Sequence, residues 1–146
     1  MKEIQILLVE DNPGDILLTR EALKNSKILN VVNVAKDGEV ALDMLFKTNG
    51  YENFELPDLI LLDINLPKID GSEVLVTIKN DKHLKVIPVI MLTTSDSDID
   101  VYRSYSNYAN SYIVKPVDMD KFFTVITSIE NFWLTVVRLP SKPSGL

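Results

Sequence analysis

The sequence predicts an α/β domain: a five-stranded parallel sheet in a three-layer sandwich, with helices on both faces. Two observations carry this. First, five short apolar runs recur along the chain at residues 4–9, 31–35, 59–62, 86–92 and 111–114, most of them rich in Val and Ile and without polar alternation. Such runs mark strands buried on both faces. Second, the stretches between them place apolar residues at helical spacing, so strand and helix alternate. Parallel strands need crossovers of this kind.

The first strand closes on Glu10-Asp11, and Asn12-Pro13 opens a helix. Pro13 excludes Asn12 from the α region, which suits an N-cap, and proline itself suits the first helical position. The helix is expected over 13–26, with Ile16, Leu17, Thr19 and Leu23 on or near the buried side. After the second strand, Val40, Ala41, Leu42, Leu45 and Phe46 mark a helix over 38–47, followed by a polar loop over 48–57. The third strand leads into a helix over 72–80. Beyond the fourth, a helix starts near Ser97, a suitable N-cap with Asp98 and Asp100 in the first turn, where the helix dipole favours acids. The fifth strand ends at Lys115-Pro116, and the last helix begins near Asp118. One domain over 1–138 is expected, with a polar, disordered tail over 139–146.

Composition narrows the function. The 146 residues carry 15 basic and 21 acidic side chains, a formal charge of −6, which argues against nucleic acid and anionic membrane as partners. The absence of cysteine removes disulfides, thiolate metal sites and cysteine nucleophiles, and suits a cytoplasmic location. No apolar run approaches the roughly 20 residues that span a bilayer, and the first is too short for a signal-peptide core.

In open parallel sheets, sites form beyond the carboxyl ends of the strands. Those ends carry Glu10-Asp11, Asp63 with Ile64-Asn65, Thr93-Thr94-Ser95, and Lys115. Each alone also suits a solvated strand end. Together, three carboxylates at one edge require a counter-charge, supplied by Lys115 and by a hard cation such as Mg²⁺ that prefers oxygen ligands. A carboxylate can attack phosphorus while metal and lysine neutralise the transferring group, and Asp63, ending a strand in mid-chain, is best placed for that. Thr93 offers a hydroxyl to a phosphoryl oxygen. His83, in a charged stretch, is a solvated residue without a catalytic role.

Leu7-Leu8-Val9-Glu10-Asp11, Leu61-Leu62-Asp63-Ile64-Asn65-Leu66-Pro67 with Asp70-Gly71, Pro88-Val89-Ile90-Met91-Leu92-Thr93 and Tyr112-Ile113-Val114-Lys115-Pro116 resemble the receiver domains of two-component response regulators. Within that family the chain is most similar to stand-alone receivers like the cyanobacterial phytochrome response regulators, on its Asn12-Pro13-Gly14-Asp15 start, its long loop before Pro57 and Phe132-Trp133. The resemblance implies a flavodoxin-like (βα)5 fold with strand order 2-1-3-4-5, and a phosphoryl-accepting switch rather than an enzyme acting on other substrates. Asp63 would accept a phosphoryl group from a histidine kinase, phytochrome-like. Glu10, Asp11, Asp63 and the backbone carbonyl of Asn65 would hold Mg²⁺, and Lys115 would contact the phosphoryl oxygens. Thr93 and Tyr112 would form the switch, acting on the face built from the helix near Ser97, the fifth strand and the last helix. Lys115-Pro116 would be cis. Asn65 and Ser95 would flank the path of hydrolytic water and tune dephosphorylation.

Two departures stand out. Glu10 occupies a position where Asp is common, lengthening the arm toward the metal, and the segment before strand 5 has Asn107 and Asn110 in place of the usual Gly-Ala turn. In the last helix, Phe122, Ile126, Ile129, Trp133 and Val137 form a core stripe, while Phe123, Val125, Phe132 and Leu134 widen the apolar arc to about 200°. Phe123, Phe132 and Leu134 are therefore expected at an interface with a second copy or a partner. Competing readings are an aspartate-nucleophile phosphohydrolase of the haloacid dehalogenase type, which wants an acid where Asn65 stands, and a degenerate receiver that only binds partners.

Overall fold

The computed structural model describes residues 3–26, 28–94 and 111–128. Five strands, β1 (Ile4–Val9), β2 (Asn30–Ala35), β3 (Leu59–Asp63), β4 (Val89–Thr93) and β5 (Ser111–Val114), form one parallel sheet in the order β2-β1-β3-β4-β5. Four helices are described: α1 (Pro13–Lys24), α2 (Gly38–Phe46), α3 (Gly71–Asn80) and α4 (Met119–Ser128). The helix expected near Ser97, the Asn107–Asn110 turn, Ser95 and everything beyond Ser128 lie outside the described residues.

The uniformly apolar strands are central because both of their faces are covered. Leu7, Val9, Ile60, Leu62, Val89 and Met91 pack with Ala41, Met44 and Leu45 of α2 and Val74, Leu75 and Ile78 of α3. The alternate residues Ile6, Leu8, Leu59, Leu61, Ile90, Leu92 and Ile113 pack with Leu23 of α1 and Phe122 of α4. Register aligns the carboxyl ends: Val9 lies opposite both Ala35 and Leu62, Asp63 opposite Leu92, and Thr93 opposite Val114. Among the described residues, no helix is long and apolar enough to cross a membrane.

Caps fix the helix starts. The Asn12 side chain accepts from the Asp15 N–H at 3.0 Å, with Pro13 at the first helical position, and Asp37 accepts from the Val40 N–H at 2.8 Å. Helix α1 stops at Lys24, short of the expected Ser26, because the Asn30 amide donates to the Leu23 carbonyl at 2.9 Å and to the Ile28 carbonyl at 2.8 Å, turning the chain toward β2. The fourth strand begins at Val89, three residues later than expected. Asp81 caps a turn by accepting from the N–H groups of His83 and Leu84, and this turn carries Val86 into solvent at 75% exposure. Leu17 is exposed as well, against the expectation that it lies on or near the buried side. Thr19 and Leu23 are buried as expected.

Candidate metal and phosphoryl site

Three sheet ends and the start of α1 build one cluster. Glu10 and Asp11 follow β1, Asp63 ends β3, and Lys115 follows β5, where its N–H donates to the Thr93 carbonyl at 2.6 Å. The Lys115-Pro116 bond is cis, as expected. Gly71 lets α3 close over the chain just beyond Asp63: a methyl there would collide with the Asp63 carbonyl and the backbone of Ile64.

Carboxylate oxygens of Glu10, Asp11 and Asp63 all lie within 4.8 Å of one another. Glu10 and Asp63 are almost wholly buried, and Asp11 is exposed. Lys115 Nζ donates to Glu10 Oε1 at 2.7 Å, Asp15 Oδ2 at 2.9 Å and Asp63 Oδ2 at 3.2 Å. The other Glu10 oxygen accepts from the N–H groups of Asp11 at 3.1 Å and Asn12 at 3.2 Å, and Asp63 Oδ1 accepts from the Asn65 N–H at 3.3 Å. Burial raises the Glu10 carboxyl above its usual range and neighbouring Asp63 adds to the rise, while Lys115 and the Asn12 N–H oppose it. Burial works against the Lys115 ammonium, but its bonds to Glu10 and Asp15 and the charges of Asp63 and Glu10 outweigh that and push it above the usual lysine value.

These groups line an open pocket of about 350 Å³ together with Asn12, Pro13, Asn65 and Thr94. A groove of about 400 Å³ between α1 and β2 lies elsewhere, and among its described lining residues the one carboxylate is Glu21. The donor set of the first pocket fits a hard divalent cation. Three oxygen ligands meet at an opening wide enough for retained waters, and two of them are buried carboxylates whose mutual repulsion a cation relieves.

The structure thus brings Glu10, Asp11, Asp63 and Lys115 together, with Asn65 exposed on the pocket wall. Thr93 is fully buried, and at this edge the wall is Thr94. Tyr112 is half-buried and packs against the core on the α2/α3 side of the sheet. Phe123 is half-buried on α4, and Ser95, Phe132 and Leu134 lie outside the described residues. Sequence reasoning assigned Asp15 no place in the cluster. The available signal was its position three residues after an Asn cap, because helical side chains lean toward the N-terminus and here toward the sheet edge.

A family model described as the response regulator receiver domain matches residues 6–127. The response regulator Rcp1 of Synechocystis sp. is 46% identical over 136 residues, covering 93% of this chain and 92% of that protein. Its namesake in a solved Mn²⁺-bound form has 45% identity and a TM-score of 0.73, covering 94% of this chain and 99% of that one. The bacteriophytochrome response regulator AtBRR has 47% identity and a TM-score of 0.85, covering 91% and 96%. The phosphorylated cyanobacterial phytochrome response regulator RcpA has 46% identity and a TM-score of 0.75, covering 95% and 99%.

Proposed function

The chain belongs to the response regulator receiver domain family, and from that premise we propose that Asp63 accepts a phosphoryl group from the phosphohistidine of a histidine kinase. The protein is a phosphoryl-accepting signalling switch. The observation that carries the assignment to Asp63 is the convergence of Glu10, Asp11 and Lys115 on this one carboxylate at the end of β3.

An Asp63 oxygen attacks phosphorus, forming an O–P bond. The P–N bond of the phosphohistidine breaks, and the imidazole nitrogen keeps the electron pair and takes up a proton. Lys115, within 3.2 Å of Asp63, donates to a phosphoryl oxygen and holds its charge there. Glu10, Asp11 and Asp63, with the Asn65 carbonyl, would hold Mg²⁺. Bound there, the ion would supply positive charge that offsets the negative charge of the transferring group. Thr93, at the end of β4, and Tyr112, within β5, relay the new charge toward the face built from the helix expected near Ser97, β5 and α4. Asn65 and Ser95 set how readily water removes the phosphoryl group.

Support for a phytochrome-like kinase comes from relatives named as phytochrome response regulators. The outgoing partner or second copy is assigned to the face carrying Phe123, Phe132 and Leu134. A cytoplasmic location accords with a cysteine-free, acidic chain. The phosphohydrolase reading is not favoured, since Asn65 stands where that chemistry needs a second acid. Incubation with Mg²⁺ and acetyl phosphate, followed by intact mass, tests the proposal: one phosphoryl adduct forms and is lost in Asp63→Asn. An adduct that persists in that variant would overturn it.

A further inference from the structure

Lys115 is held by a carboxylate that phosphoryl transfer does not otherwise use. Asp15 Oδ2 stands 2.9 Å from Lys115 Nζ, nearer than Asp63 Oδ2 at 3.2 Å, and with Glu10 Oε1 at 2.7 Å these acids engage all three N–H bonds of the ammonium. We propose that Asp15 is a positioning residue that keeps the Lys115 ammonium aimed into the pocket when Glu10 and Asp63 are taken up by a divalent cation and a phosphoryl group. The inference rests on Asp63 being the phosphoacceptor.

Local sequence holds Asp15 in place. The Asn12 cap receives the Asp15 N–H at 3.0 Å, and Pro13 sets the first helical position, so Asp15 is fixed as the third residue of α1. From there its side chain lines the pocket mouth. It is 30% exposed, against 1% for Glu10 and 5% for Asp63, so its charge keeps much of its hydration. It also stands outside the three-carboxylate cluster of Glu10, Asp11 and Asp63.

A cation drawn to that cluster competes with Lys115 for two of its three partners, and phosphorylation ties up one Asp63 oxygen in the O–P bond. Asp15 is the partner that neither event recruits. Without it, the flexible lysine stem is free to swing its head toward water. Lys115 donates a hydrogen bond throughout and transfers no proton.

The test follows the phosphorylation rate with Mg²⁺ and acetyl phosphate, in which the Asp63 oxygen displaces acetate from phosphorus. Intact mass is read for wild type, Asp15→Asn, Asp15→Glu, Lys115→Met and the Asp15→Asn/Lys115→Met double variant, with Mg²⁺ affinity measured by calorimetry. Asp15→Asn is expected to slow the reaction about tenfold while leaving Mg²⁺ affinity unchanged. Asp15→Glu restores most of the rate, and Asp15→Asn adds no further loss in the Lys115→Met background. A rate at or above wild type in Asp15→Asn overturns the inference, as do independent, multiplying losses in the double variant. So does failure of Asp15→Glu together with a lowered melting temperature, which marks a merely structural role. A wild type that takes up no phosphoryl group, or an Asp63→Asn variant that still does, instead overturns the phosphoacceptor reading and this inference with it.

Discussion

The Lys115 ammonium lies 0.5 Å closer to Glu10 than to Asp63, at 2.7 Å against 3.2 Å, so its tightest ion pair is with the acid that follows β1 rather than with the one that ends β3. Both carboxylates are buried, and the lysine is their shared counter-charge. Lys115→Met therefore leaves buried like charges facing each other, and a loss of about 3–5 kcal/mol is expected in metal-free urea unfolding. Saturating Mg²⁺ is expected to restore much of that loss, because it binds the folded cluster and not the unfolded chain. Equal losses with and without Mg²⁺ would refute the shared-charge account.

Gly71→Ala probes the closeness of α3 to Asp63. The added methyl meets the Asp63 carbonyl and Ile64 backbone, which belong to the sheet end and have little room to give. A destabilisation of about 1–3 kcal/mol is expected, accompanied by slower phosphorylation as Asp63 is pushed off line. Wild-type values for both stability and rate would show that α3 moves aside freely.

Leu61 and Leu17 are both leucines that apolar patterning sends inward, yet Leu61 is fully buried and Leu17 is 60% exposed. Leu61→Ala is expected to cost about 2–5 kcal/mol, whereas Leu17→Ala should stay within about 0.5 kcal/mol of wild type. Denaturant midpoints at constant slope distinguish them, and similar losses at the two positions would contradict the exposure of Leu17.

Lys79 links stability to pH. Burial pulls its ammonium down to about 8, while its Nζ donates to the Lys85 carbonyl at 3.0 Å and the Ile87 carbonyl at 2.6 Å. The unfolded lysine keeps its proton up to its ordinary value of 10.5, so between about 8 and 10.5 the unfolded chain binds a proton that the folded chain has released. Stability from this residue therefore rises with pH across that window and is flat below it. The stability of wild type relative to Lys79→Met is expected to increase between about pH 7.5 and about pH 9.5, and a constant difference would rule the mechanism out.

The sheet was legible because its central strands are apolar on both faces, and the strand ends were legible because charge follows each run abruptly: Val9 to Glu10, Leu62 to Asp63, Val114 to Lys115. Other features were hidden because they depend on partners distant in sequence. Leu17 carries the right residue type at a plausible spacing, but its burial is decided by where α1 sits on the sheet. Val86 looks continuous with the strand after it until the Asp81 cap bends the chain before Pro88. Asp15 reads as an ordinary first-turn acid, and its second role becomes visible only when a lysine 100 residues away is folded against it.

That separation bears on how the chain is made. Glu10, Asp11 and Asp63 emerge from the ribosome well before Lys115, which trails Glu10 by 105 positions. Until β5 docks beside β4, a growing chain holds Glu10 and Asp63 without the lysine that bridges them in the folded protein. A chain halted before β5 is therefore expected to bring these strand ends together only where an external cation supplies the missing charge.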